Sequence, residues 1–258
     1  MPTRPPATEF RTRLLAGERL IGSFIKTPAP QPIEILGDLG FDFVVIDEEH
    51  GPFDRGAIDI GLLAARASGT AGIVRVAEPS AANILAMLDM GATGVLVPHV
   101  LSVAKAREVA SACRYRGGRR GFSNTTRAGR YGALGMWSHV DAADAQTVVI
   151  AMIEDREALD EIDAIAAVEG IDAFFIGRGD LAVAYGAPGM EAPEVRGAAE
   201  RILAAARSAA KPVCIMVSGR EEADAFAALG ASAFIVASDQ GFMRQAAAKL
   251  IEDMAAMA

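Results

Sequence analysis

The chain has 258 residues, 52% of them apolar and 22% charged, with 25 Lys and Arg against 33 Asp and Glu for a net charge of −8. A chain this long buries roughly three quarters of the surface its unfolded form exposes, and its two cysteines, Cys113 and Cys214, exclude a disulfide scaffold and a CxxC zinc site. The acidic balance argues against nucleic acid or an anionic membrane as partner, and no apolar stretch reaches the ~18 residues of a membrane span.

Residues 1–6 lead into polar sequence with no signal-peptide core, which predicts a cytoplasmic protein in a reducing compartment. A first helix capped by Thr8 is expected over 9–16, ending at Gly17. Short, continuous apolar runs then predict strands buried on both faces at 20–26, 42–47, 72–76, 94–98, 148–154, 173–177, 213–217 and 233–237. Helices are expected at 32–39, 56–67, 80–90, 102–113, 156–168, 193–209, 219–229 and 240–254, with Gly40, Gly91, Gly170 and Gly230 as C-terminal caps. One segment breaks the alternation. Residues 114–146 are rich in Arg and Gly, hold the lone Trp137, and read as a long functional loop after the fourth βα unit. The pattern fits an α/β chain forming a single (β/α)8 TIM barrel over 1–258, with its N-terminal helix across the floor. A doubly wound open sheet is the alternative, weakened by the absence of a Gly-rich dinucleotide fingerprint after the first strand.

In such a barrel the reacting groups gather at the carboxyl ends of the strands. There the second strand ends in Asp47-Glu48-Glu49-His50, the third carries Arg75, and the fourth leads to His99. The fifth ends in Glu154-Asp155, Gly177-Arg178-Gly179-Asp180 follows the sixth, and the eighth runs into Ser238-Asp239. Surplus negative charge with one Arg and one or two His suits a hard divalent cation such as Mg2+ or Mn2+. Glu154 and Asp180 read as its ligands, with helix capping as the ordinary alternative for Asp180. Asp155 and Glu157 read as caps for the next helix. Gly177 and Gly179 suggest a close approach to the backbone. Of three histidines, His50 among its carboxylates reads as the base, His99 as a pocket-wall residue and His139 as a loop residue. Arg75 is the most informative position, because a guanidinium in an apolar strand needs an anion. A substrate carboxylate or oxyanion is one candidate and a structural ion pair the other. Lys26 is the single thin candidate for a Schiff-base aldolase.

The stretch Ile46-Asp47-Glu48-Glu49-His50-Gly51-Pro52 resembles the I-D-x-E-H-x-P motif of the HpcH/HpaI aldolase family, the metal-dependent class II pyruvate aldolases. Val74-Arg75, residues 88–92 and 94–98, Arg114-Tyr115, Arg120-Gly121, Ile153-Glu154 and the run from Phe175 to Asp180-Leu181 continue the resemblance in order. It implies a barrel assembled as a hexamer that exchanges terminal helices. It implies Glu154 and Asp180 as ligands of a divalent cation, with Asp47 and Glu49 reaching it through water. It further implies His50 as base with Asp89 in support, Arg75 on the ketone oxygen of a 2-oxo acid, and backbone N–H groups near Gly179 on its carboxylate. The implied reaction is reversible aldol cleavage of 4-hydroxy-2-oxo acids to pyruvate or hydroxypyruvate and an aldehyde, silenced by chelation and restored by Mg2+, Mn2+ or Co2+. Arg127 and Arg130 in the long loop are expected to face the aldehyde.

The sequence departs from the heptanedioate-cleaving branch at three positions read as pocket wall. Arg178 stands for a proline, Met152 for a glutamine and His99 for a methionine. The start Phe24-Ile25-Lys26-Thr27-Pro28 differs as well, so a sibling aldolase accepting hydroxypyruvate or sugar-derived 2-oxo acids is expected. Two rivals remain open. One is a lyase of acyl-CoA or phosphorylated 2-oxo acids, with Arg116, Arg119 and Arg120 as a basic patch at the rim. The other is a barrel that binds a small acid without catalysis.

Overall fold

The computed structural model describes residues 7–256, so the expectation about a leader segment over residues 1–6 lies outside the described residues. Eight parallel strands are present: β1 (Leu20–Ile25), β2 (Phe43–Asp47), β3 (Ala71–Arg75), β4 (Gly94–Val97), β5 (Val148–Ile153), β6 (Ala173–Ile176), β7 (Val213–Val217) and β8 (Ala233–Ser238). They hydrogen-bond in sequence order and close with β8 on β1, which excludes the open sheet. Every strand lies within one residue of its expected bounds. The apolar runs are continuous because both faces are covered. In β2, Val44 and Ile46 pack outward against helices while Phe43 and Val45 fill the barrel; in β5, Val149, Ala151 and Ile153 face out and Val148, Ile150 and Met152 face in.

The helices are α1 (Phe10–Leu15), α2 (Gln31–Asp38), α3 (Arg55–Ala67), α4 (Ala81–Asp89), α5 (Val103–Cys113), α6 (Met136–Gln146), α7 (Ile162–Ala166), α8 (Arg178–Tyr185), α9 (Pro193–Ser208), α10 (Arg220–Leu229) and α11 (Asp239–Ala255). The first helix is shorter than expected. A 3-10 turn, Ala7–Glu9, precedes it, and Glu9, not Thr8, holds the cap position without a side-chain bond. It still plugs the floor, where Phe10 and Leu14 join the interior cluster and the Phe10 ring meets Phe43 at 5.4 Å. The stretch expected as one helix over 156–168 is broken into a 3-10 turn, Arg156–Leu159, and α7.

Two helices were not expected. α6 lies inside the segment read as a loop; only His139 and Val140 of it are buried, so it has no apolar stripe to announce it. α8 begins in the Gly-Arg-Gly-Asp run, whose glycines suggest a close approach to the backbone and not a helix. Among the described residues no helix is long and apolar enough to cross a membrane.

Candidate active site

Strand parity builds the mouth of the barrel. Phe43 and Val45 point inward, so Asp47 does as well; the same step of two carries Ile73 to Arg75 and Met152 to Glu154. The register of β2 on β3 then sets Asp47 directly opposite Arg75. Arg75 Nε and Nη2 donate to the two oxygens of Asp47 at 2.9 and 2.7 Å, and Lys26 Nζ donates to Oδ2 at 2.7 Å. Burial pushes the Asp47 carboxyl up, but these cations outweigh it and hold the group below the usual carboxylate range. The structural ion pair considered for Arg75 is therefore realised. Its guanidinium lies 4.8 Å from the Phe24 ring centroid and leaves Nη1 on the side of Glu49, 3.3 Å from Oε2.

Glu154 is 3% exposed, and its Oε1 accepts the backbone N–H of His99 at 2.9 Å. Burial, with added repulsion from Asp180 and Glu49, pushes its carboxyl up to about 7. His99 has a left-handed backbone, φ 53°, which turns its ring back over the mouth. There Nδ1 meets Asp155 at 3.2 Å and Glu154 at 3.4 Å, while Nε2 lies 3.9 Å from Glu49. Burial opposes protonation of His99, yet Asp155, Glu154 and Glu49 raise its pKa. The His50 ring is largely exposed, with Nε2 3.8 Å from Glu49 Oε2. Asp180, in the first turn of α8, has no hydrogen-bond or ion-pair partner among the described residues.

This donor set fits a hard divalent cation. Glu49 Oε2 is buried without a hydrogen-bond partner, and Glu154 is a buried carboxylate short of positive charge. His99, Glu154 and Asp155 bring three ligand atoms within 4.8 Å of one another, so Glu154 is common to the observed cluster and to the expected Glu154–Asp180 pair.

A sequence model described as HpcH/HpaI aldolase/citrate lyase matches residues 20–246. The chain belongs to that family. It is 33% identical over 246 residues to a 5-keto-4-deoxy-D-glucarate aldolase of Enterobacter sp. (strain 638), with 95% of each chain covered. It is 35% identical over 236 residues to a pyruvate aldolase of Rhizobium etli, covering 91% of this chain and 92% of the relative. A solved HpcH/HpaI aldolase/citrate lyase family protein from Burkholderia cenocepacia superposes with a TM-score of 0.90 at 26% identity, covering 96% and 99%. Carbon–carbon lyase chemistry follows from that membership.

Several expected site residues of this family member lie elsewhere. Asp89 ends α4, and a helix that follows a strand ends at the opposite face of the barrel from the strand's carboxyl end. It pairs there with Arg120 at 3.4 Å, so within one chain it does not support His50. The same polarity moves the segment 114–146, a helix-to-strand connection, to the floor: Arg127 pairs with Asp59 at 2.7 Å and faces no aldehyde in this chain. Arg116, Arg119 and Arg120 are consequently not a rim patch. His139 is no loop residue; it is buried in α6 with Nε2 3.2 Å from the Tyr115 hydroxyl.

Other residues change role. Asp155 makes no cap bond and holds His99 instead. Glu48 accepts the Ala77 N–H and Asn83 Nδ2, and Asp239 accepts the N–H groups of Lys26 and Thr27, so both are consumed locally. Arg178 leaves the pocket wall: it donates to the Met216 carbonyl, pairs with Glu222 and Glu191, and lies on Phe226 at 4.8 Å. A Cβ on Gly177 would meet Glu154 and Met152, so the group approaching that backbone is Glu154 itself, whereas Gly179 faces open space. His99 and Lys26 were underrated. The signal for Lys26 was its even spacing from Phe24; the left-handed turn at His99 had none.

Proposed function

We propose that this family member is a divalent-cation-dependent aldolase acting on 4-hydroxy-2-oxo acids, with pyruvate or hydroxypyruvate as the enolate partner and an aldehyde as the other. The observation that carries this reading is the buried Arg75–Asp47 pair standing beside a cluster of underneutralised carboxylates. Glu154 and Asp180 would hold the cation, with Glu49 through water. When bound, the cation supplies a Lewis acid that withdraws electron density from the 2-oxo acid and acidifies its C3 proton. Asp47 orients Arg75, both Asp47 oxygens being engaged by Arg75 and Lys26.

Arg75 Nη1 stabilises the developing enolate oxygen. Backbone N–H groups in the first turn of α8, at Gly179, receive the carboxylate, where the helix end favours an anion. His50, exposed at the mouth, removes the C3 proton directly or through water, and Glu49 steadies the imidazolium so formed. C3 then attacks the aldehyde carbon, and the new alkoxide takes up a proton; cleavage runs the same steps backwards. A hexamer and a cytoplasmic setting belong to the same reading, the latter supported by two free, buried cysteines.

The test is an aldehyde panel with pyruvate and hydroxypyruvate, before and after EDTA and with Mg2+, Mn2+ or Co2+ restored. NMR of C3 proton exchange isolates the first step. Exchange without any aldol product would confine the activity to enolisation, and no exchange in any metal would leave an acid-binding barrel.

A further inference from the structure

The proposed chemistry leaves one large cavity unused. About 410 Å3 opens between α3, α4 and α6, at the floor of the barrel. Arg66, Arg120, Arg127 and Arg130 line it with no carboxylate among its lining residues, in a chain of net charge −8. Arg127 is satisfied by Asp59. Arg66 and Arg130 have no ion-pair partner among the described residues. Arg120 is the decisive group. Its side chain is 1% exposed and lies on the Tyr115 ring at 4.5 Å; its contact with Asp89 is long, at 3.4 Å, and its Nε is buried with no partner. A buried guanidinium with an unused donor is costly unless an acceptor arrives.

We infer that this cavity binds a small organic carboxylate, its charged head on Arg120 and its apolar body against Leu62, Leu88 and Ala143. A carboxylate matches the planar guanidinium fork better than a spherical anion does. The volume lies within the ~300–1,000 Å3 of ordinary small-ligand pockets. Within one chain, the length of the barrel separates this site from Glu154.

Benzoate is the probe, titrated by calorimetry into the full chain in Mg2+, with inorganic phosphate as a head lacking a body and benzyl alcohol as a body lacking charge. Benzoate is expected to bind the wild type and Glu154→Gln alike, and both controls at least tenfold more weakly. Ala143→Phe narrows the cavity while leaving the Arg120 guanidinium in place and is expected to weaken benzoate at least tenfold, as is Arg120→Met. If circular dichroism finds Arg120→Met unfolded, Ala143→Phe decides. Absent benzoate binding, or binding unchanged in Ala143→Phe, overturns the proposal, as does binding lost in Glu154→Gln. Phosphate binding as tightly as benzoate reduces the cavity to a patch of charge. Benzoate affinity that falls as protein concentration rises means that a second copy of the chain fills it instead.

Discussion

The two ends of the barrel use the same residue types in opposite ways. At the floor, Asp172 is buried and fully answered: Arg11 donates twice to one oxygen, and Arg114 and the Val149 N–H donate to the other, all within 3.1 Å. At the mouth, Glu154 is as deeply buried but accepts a single hydrogen bond, from a backbone N–H; Glu49 Oε2 has no hydrogen bond, only the ion-pair contacts to Arg75 and His50; and Asp180, exposed, is unpaired. A buried carboxylate with its full complement of donors ties together α1, the residue that ends α5, and β5. One left short is a standing cost, retained where a ligand answers it. The contrast predicts that substitutions at the mouth remove activity and spare the fold, and that substitutions at the floor do the reverse.

The largest effect is expected from Glu154→Gln. It should abolish cation-dependent turnover and weaken Mn2+ binding, measured by electron paramagnetic resonance, while the cation-free protein unfolds no earlier than wild type. A large drop in its melting temperature would break the comparison. His50→Ala should lower kcat roughly 100- to 10,000-fold and leave Mn2+ binding intact, which separates a proton-transfer role from a ligand role. Asp172→Ala should cost about 3 kcal/mol in urea unfolding, since it strands Arg11 and Arg114 beside a buried vacancy in their charge balance. Turnover per folded molecule should stay near wild type.

Much of the mouth was legible because the barrel imposes parity. Once Phe43, Val45 and Asp47 are taken as alternate residues of one strand, the inward direction of Asp47 needs no structure, and the same step finds Arg75 and Glu154. Chain polarity bears on other residues. The resemblance sets Asp89 beside His50 and the long loop with Arg127 and Arg130 beside the aldehyde, whereas within one chain a helix end and a helix-to-strand connection lie at the floor of a parallel barrel. The partner of Arg75 was also out of reach. Only the register of β2 on β3 reveals that Asp47 stands opposite it. The roles of His99 and Asp155 depend on a left-handed turn at a non-glycine residue, for which composition carries no sign.

The smallest effects come from pH, and there the two ends should differ in sign. Glu154 is raised to about 7 in the fold. Its folded form therefore prefers the proton, and in cation-free protein its contribution is present at low pH and lost as pH rises from about 4.5 through 7, on the order of 3 kcal/mol. Glu154→Gln should flatten that slope. At the floor, burial first and then the charge of Arg120 lower the pKa of His139, while Asp89 acts in the other direction. His139 Nε2 shares a hydrogen bond with the Tyr115 hydroxyl, and protonation would bury a charge beside Arg120. Its contribution is thus fully present above the unfolded pKa of about 6.5 and is lost as pH falls through the folded value. Urea titrations of wild type, Glu154→Gln and His139→Gln between pH 5 and 8 measure both slopes. If both variants move the curve in the same direction, the opposition between mouth and floor fails.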